Sequence, residues 1–266
     1  MRKLVLLSLL FWILVDSKFM LSGEEFPYKD IKGKIIFYLP FDGDIKSQGT
    51  YKVEKIELYP SNESLEYTVG IKGQSLITGK NCIKYFLSDI LKLEQGTISL
   101  WIKPVDWDEE SYLDFLHLFS YSEGKWKPIF RIYRPSHSHL GLVFLRYNEP
   151  PPHCSMNYHR ERIDTWQKQN GQWHQVVFTW NADEGKMYID AMEITTDPQI
   201  AKTLKESNVI QIGGVSTKYP SPNSSLITNK ITAIDEVVFY DYVFNLEQIK
   251  KDYEKFMGKM EKIDNF

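Results

Sequence analysis

The chain has only two cysteines in 266 residues, Cys82 and Cys154. It is therefore not a disulfide-stapled mini-domain, and a chain this long buries roughly three quarters of its unfolded surface without staples. It also lacks an excess of either charge. Its 32 basic and 35 acidic side chains leave a net −3, with the signs interspersed. A nucleic-acid partner would want a basic face, so that class is set aside. No apolar run beyond the N-terminal leader is long enough for a helix to cross a membrane. Gly-x-Ser-x-Gly and His-Glu-x-x-His are both missing, which removes the hydrolase elbow and the helical zinc-protease site. Helical periodicity is scarce.

What is present begins with a leader. Arg2 and Lys3 form a basic region, and Leu4 to Val15 is apolar apart from one Ser. That length suits a signal peptide better than a membrane span. Residues 1–23 are read as the signal peptide, with an uncleaved anchor as the alternative. Either way the rest of the chain is exported, to the extracellular space or a periplasm. About 240 residues remain, the size of one all-β domain. The domain is assigned to residues 24–258, with a charged tail over 259–266. In an oxidising compartment Cys82 and Cys154 could pair, closing a loop of about 70 residues, or remain two thiols.

Period-two alternation dominates the remainder. "TISLWIKP" sets Ile98, Leu100 and Ile102 against Ser99, Trp101 and Lys103. "HQVVFTW" sets His174, Val176, Phe178 and Trp180 against Gln175, Val177 and Thr179. Similar runs are "KIIFYLPF", "CIKYFL", "PIFRIYR", "LGLVFLRY", "NVIQIGG" and "AIDEVVFYDYVF". Short alternating runs separated by Gly, Pro, Asn and Ser read as a two-sheet antiparallel jelly-roll sandwich. Ile98, Leu100, Ile102, Val176, Phe178, Ile189 and Val238 are expected inside. One strong helix closes the chain. Asn245 is its expected N-cap, with Gln248 at the reciprocal position, and Leu246, Ile249, Tyr253 and Phe256 share a face. "LSDILKL" is expected to form a single helical turn. Three consecutive prolines, Pro150–Pro152, exclude a central strand and mark Tyr147–Gln172 as a long loop.

Several segments offer chemistry. "DWDEE" (Asp106–Glu110) and "RERID" (Arg160–Asp164) are the nearest approach to a carboxylate pair for glycoside hydrolysis; the first follows a strand and reads as a solvated loop, and the second could place Glu161 and Asp164 near His159 and Arg160. His137 and His139 share a strand face, but no third metal ligand can be assigned. Asp42 and Asp44 leave the first strand and Asp235 lies in the last. Terminal strands of a jelly roll are often neighbours, so these oxygens could converge on calcium, or remain ordinary turn carboxylates. Asn62 and Asn223 head Asn-x-Ser sequons, which matter only if the source glycosylates.

The segment "GQWHQVVFTWNADEGKMYIDAMEI" (Gly171–Ile194) resembles the laminin G-like members of the concanavalin A-like lectin/glucanase superfamily. "LPFDGD", "VGIKGQSLITGKNCIKYF", "GTISLWIKP" and "AIDEVVFYDYVFNLEQI" resemble four further blocks of that family, in the family's order. The likeness covers about residues 34–256. One departure is Asp190-Ala191, where the family usually has Asp-Gly. Ala resists positive φ, so that turn is expected to be reshaped. His174 is expected to be a paired core-edge histidine without a catalytic role. The resemblance implies a non-catalytic binding module, most plausibly for glycans, and many fold relatives carry a structural calcium. A protein-binding or adhesive domain is the alternative. The fold also hosts hydrolases and lyases, but "RERID" matches neither pattern. Stacking and hydrogen-bonding candidates in or near loops are Trp126, Arg134, Tyr147, Tyr158, Arg160 and Trp166.

Overall fold

The structure, a computed structural model, describes residues 34–61, 64–79, 81–107, 113–134, 171–197, 206–214 and 231–263. All lie within the unit Gly33–Phe266. Strands form at the alternating runs that fall within the described residues; "LGLVFLRY" lies outside them. The strands are β1 (Ile35–Leu39), β2 (Val53–Tyr59), β3 (Tyr67–Val69), β4 (Gln74–Thr78), β5 (Cys82–Lys92), β6 (Gly96–Pro104) and β7 (Leu113–Ser122). Beyond them come β8 (Lys125–Arg134), β9 (His174–Trp180), β10 (Gly185–Ile189), β11 (Met192–Asp197), β12 (Glu206–Gly213) and β13 (Thr232–Tyr240). Strands β2, β3, β4 and β7 are not among those runs. A helix, α1 (Leu246–Ile263), follows.

Two antiparallel sheets face each other. The eight-stranded sheet runs β11-β10-β9-β6-β13-β4-β3, with β1 also paired to β13; the five-stranded sheet runs β2-β5-β12-β7-β8. First and last strands are therefore neighbours, as anticipated. Ile98, Leu100, Ile102, Val176, Phe178 and Ile189 join the core between the sheets. Val238 is fully buried too, but Val237 and Phe239 supply the core contacts. A bulge between Asp235 and Val238 changes the phase of the alternation there.

Helix α1 covers the outer face of the larger sheet. Tyr253 stacks on Trp101 at 5.7 Å, and Phe256 meets the same indole at 5.5 Å. Asn245 accepts from the Gln248 amide at 2.9 Å, and Gln248 accepts from the Asn245 amide at 3.0 Å, which is the expected capping box. Beneath the helix, Gln175 Nε2 donates to Asp252 Oδ2 at 2.7 Å and to Ser99 Oγ at 3.2 Å. Burial pushes the Asp252 carboxyl up to about 6. No described helix is long and apolar enough to cross a membrane.

The helix continues to Ile263, because Gly258 costs only about 1 kcal/mol between good helix formers. Two expectations need correction. "LSDILKL" is not a turn of helix but the end of β5, where Leu91 and Lys92 pair with Ser207 and Glu206. Ladder bonds to β12 outweigh its weak helical pattern. The Asp190-Ala191 turn is not reshaped either. Both residues adopt left-handed φ, 50° and 59°, in a two-residue hairpin closing β10 on β11. Asp190 is fastened on both sides: its carboxylate accepts from the Gln175 amide at 2.9 Å and lies 2.8 Å from His174 Nδ1. These bonds hold Ala191 in the geometry that glycine would adopt freely.

Candidate functional site

The two faces of the five-stranded sheet have different chemistry. Ile83, Tyr85, Leu116, Leu118, Phe130, Ile132, Ile210 and Ile212 point into the core. Lys84, Phe86, His117, Phe119, Arg131 and Gln211, set between them along the strands, point outward. Across the strands Lys55 opposes Phe86, Phe86 opposes Val209, and Val209 opposes Phe119. A second row sets Glu57 opposite Lys84, Lys84 opposite Gln211, Gln211 opposite His117, and His117 opposite Arg131. Directly opposed residues share a face, so an aromatic row lies beside a polar one.

Trp126 on β8 is the centre of the aromatic row. Tyr121 lies 4.6 Å from it, with Phe119 at 5.6 Å and Phe86 at 5.9 Å roughly edge-on. Trp126 and Phe86 are half-buried and Tyr121 is exposed. Asn208 holds the end of β7 by accepting from the Tyr121 amide and donating to its carbonyl. Two ammonium groups approach the rings: Lys84 Nζ lies 5.1 Å from Trp126 and Lys55 Nζ 5.5 Å from Phe86. Such contacts restrain long side chains that otherwise roam.

The polar row is deeply set. His117 and Arg131 are each 2% exposed, Lys84 7% and Gln211 8%. The Arg131 guanidinium sits 3.5 Å from the Tyr133 ring centre and 3.8 Å from Asp114 Oδ1. Burial lifts the Asp114 carboxyl to about 6, against the pull of Arg131. Burial also holds His117 well below the usual imidazole range, and the charges of Arg131 and Lys84 lower it further. His117 is therefore neutral at pH 7, stacked on Phe119 at 3.8 Å. Among the described residues, His117 Nε2 and Asp114 Oδ1 find no hydrogen-bond partner. A flat apolar surface beside oriented donors and acceptors suits a ligand with one hydrophobic face and many hydroxyls.

Of the residues singled out from sequence, Trp126 stands in this site. Arg134 does not: it is 2% exposed, and its guanidinium lies 5.2 Å from the ring of Trp107, a core residue. The bulge that skips Ile129 changes the phase of β8, so Arg134 shares the face of Phe130 and Ile132 and not that of Trp126. Tyr147, Tyr158, Arg160 and Trp166 lie outside the described residues, as do His137, His139, "RERID", both sequon asparagines and Cys154. Cys82 is a buried free thiol in this structure, and burial pushes it up to about 11.

The three carboxylates proposed for calcium do not form a cage. Asp235 is fully buried and accepts from the amides of Ile71, Lys72 and Glu236. Asp42 accepts from the Gln74 amide at 3.0 Å, and Asp44 accepts from the Lys46 amide and pairs with its Nζ at 3.3 Å. Asp235 and Asp42 thus pin the β3–β4 turn. Burial and the charge of neighbouring Glu236 raise Asp235 well above the carboxylate range. Among the described residues no three His, Cys, Asp or Glu side chains are placed to hold a metal ion. His174 is 6% exposed and bonded to Asp190, a partnered histidine as expected, though its partner is a carboxylate.

Residues 85–250 match a laminin G family model described as the concanavalin A-like lectin/glucanases superfamily. The chain belongs to that superfamily. No curated protein matches it. Among solved structures, one described as "Cell entry of botulinum neurotoxin type C is dependent upon interaction with two ganglioside molecules" superposes with TM-score 0.64. Identity is 13%, over 86% of this chain and 53% of that one. The binding domain of botulinum neurotoxin DC in complex with rat synaptotagmin II gives 0.61 at 14% identity, over 84% and 52%. This superfamily member spans about half the length of those chains, and likeness at such identity shows the fold alone.

Sequence reading missed Phe86, Phe119, Tyr121, Lys84, His117 and Gln211. A signal existed in "KYF" and "HLFSY", where the positions between core residues carry rings and polar groups. What joins them is the register of β12, which brings β5 and β7 together from distant parts of the chain.

Proposed function

We propose that the chain is an exported, non-catalytic glycan-binding module that uses the outer face of its five-stranded sheet. The observation carrying this reading is the accessible Trp126–Tyr121–Phe86 surface beside the polar row of Lys84, Gln211, His117 and Arg131. The C–H face of a sugar ring packs on an aromatic plane, while the exposed Lys55 ammonium beside Phe86 bonds its hydroxyls and the deeply set polar row supports the aromatic surface from beside it. The two acidic groups described there support binding over turnover. Glu57 is held by Lys55 at 2.6 Å, and Asp114 lies buried against Arg131. The apolar leader supports export, and the structural neighbour whose description names two ganglioside molecules is consistent with the ligand class.

Trp126→Ala tests the reading on a glycan array. Binding should fall at least tenfold, about 1.4 kcal/mol, with the melting temperature little changed because the ring is half-exposed. If the wild-type chain retains no glycan while binding an extracellular protein through Trp126, the module is a protein-recognition domain. If Trp126→Ala costs about 3 kcal/mol of stability, as for a buried large aromatic, the ring is core packing.

A further inference from the structure

The edge strand of the five-stranded sheet carries a self-complementary pattern. β2 reads Val53-Glu54-Lys55-Ile56-Glu57-Leu58-Tyr59, and it is the terminal strand of that sheet among the described residues. Its inner neighbour, β5, satisfies one side of its backbone. Among the described residues no strand pairs with its other side, and an open groove of about 560 Å³ is lined by Lys46, Gly49, Tyr51, Lys52 and the first half of β2. Ile56 is 37% exposed and Tyr59 43%. Bare edges pair with other strands unless something prevents it, and lone lysines are the usual guard. Here the charges alternate in sign.

We infer that β2 pairs antiparallel with β2 of a second copy of this chain, about a two-fold axis through Ile56. In that register Ile56 meets its own counterpart. Lys55 opposes Glu57 of the second copy, Glu57 opposes its Lys55, and Val53 opposes its Tyr59. Lys55 and Glu57 already point the same way, joined at 2.6 Å, so the four side chains form one cluster on one face. Moving the axis to a neighbouring residue sets Lys55 opposite Lys55 or Glu57 opposite Glu57, both unfavourable. Charge therefore selects one register. The interface is small, so the dimer forms at high concentration and exchanges readily. A two-fold axis normal to the sheet keeps like faces on the same side. The two aromatic surfaces then face one way on a continuous ten-stranded sheet, an arrangement for gripping a multivalent surface.

Sedimentation over roughly 10 µM to 1 mM tests this, a range in which a weak dimer appears. Lys55→Glu alone and Glu57→Lys alone should each remain monomeric, since each sets like charges face to face. Mixed in equal amounts they should dimerise, because every opposed pair is again complementary. Both side chains are exposed, so each variant should keep the wild-type melting temperature. Ile56→Cys should form a disulfide-linked dimer under mild oxidation, since opposed residues at the axis lie within disulfide reach. Tyr59→Cys should not. A wild-type chain that stays monomeric near 1 mM overturns the proposal. So does a dimer indifferent to both charge reversals, or equal cross-linking at 56 and 59. The result stands or falls independently of any ligand.

Discussion

At the scale of single residues, strain marks where the fold has been specified. Ala191 at φ 59° sits in a conformation that costs an ordinary residue roughly 1–2 kcal/mol. Ala191→Gly should relieve it, less about 0.4–1 kcal/mol of extra chain entropy in the unfolded state, for a net gain of about 0.5 kcal/mol in urea unfolding. A loss would mean that the methyl group, 8% exposed, contributes packing greater than the strain. Gly70 makes the opposite case. A Cβ there would run into the Asp235 carboxylate and lie 2.7 Å from the Gln74 carbonyl oxygen. Gly70→Ala should cost about 2–3 kcal/mol, the scale of an overpacked site, read from the same unfolding curve. The Gly-rich block was visible in the sequence, but its purpose was not. The carboxylate that fills the space belongs to Asp235, 165 positions later in a strand paired with β4. The same distance explains why Asp235 resembled a calcium ligand: a lone acid in a strand gives no sign that backbone amides will occupy it.

At the scale of elements, alternation made β1, β6, β9 and β13 legible, because one face of each had to be apolar. The helix was legible from its cap and its stripe. Register was not legible, and the candidate site is a product of register. Phe86 and Phe119 both border Val209, yet nothing within "CIKYFL" or "LHLFSYS" names β12 as the strand between them. The cap offers a direct check. Asn245→Ala removes one half of the capping box and should destabilise the chain by about 1 kcal/mol. Its effect should appear first as loss of helical circular dichroism at 222 nm and increased fluorescence exposure of Trp101, the indole that α1 covers. Unfolding of the sheets with no prior change at Trp101 would show that helix and sandwich melt as one unit.

At the scale of the whole molecule, buried carboxyls should set an unusual pH response. Asp114 and Asp252 lie under opposite sheets, and burial raises both to about 6 from the ordinary value of 3.8. Between those values the folded chain holds protons that the unfolded chain has released. Folding is therefore favoured at the acidic end, and stability declines as pH rises from about 4 to about 6. At about 1.36 kcal/mol per unit, each group withholds on the order of 3 kcal/mol once ionised. Asp235, raised by burial and by the charge of Glu236, acts in the same direction. His117 acts in the other direction. Its folded value lies well below 6.5, so stability grows as the unfolded imidazole deprotonates through 6.5. Three raised carboxyls against one depressed imidazole leave a net fall, and melting should be higher at pH 5 than at pH 8. Asp252→Asn keeps the side chain's shape and a partner for Gln175 while removing the ionisation. It should raise the melting temperature at pH 8, leave it nearly unchanged at pH 4, and flatten the slope between. Asp114→Asn should do the same from the opposite sheet, and the double variant should add the two effects, since the sites share no contact. A wild-type melting temperature that climbs steadily from pH 5 to pH 8 would mean that neither carboxyl is held protonated in the folded chain.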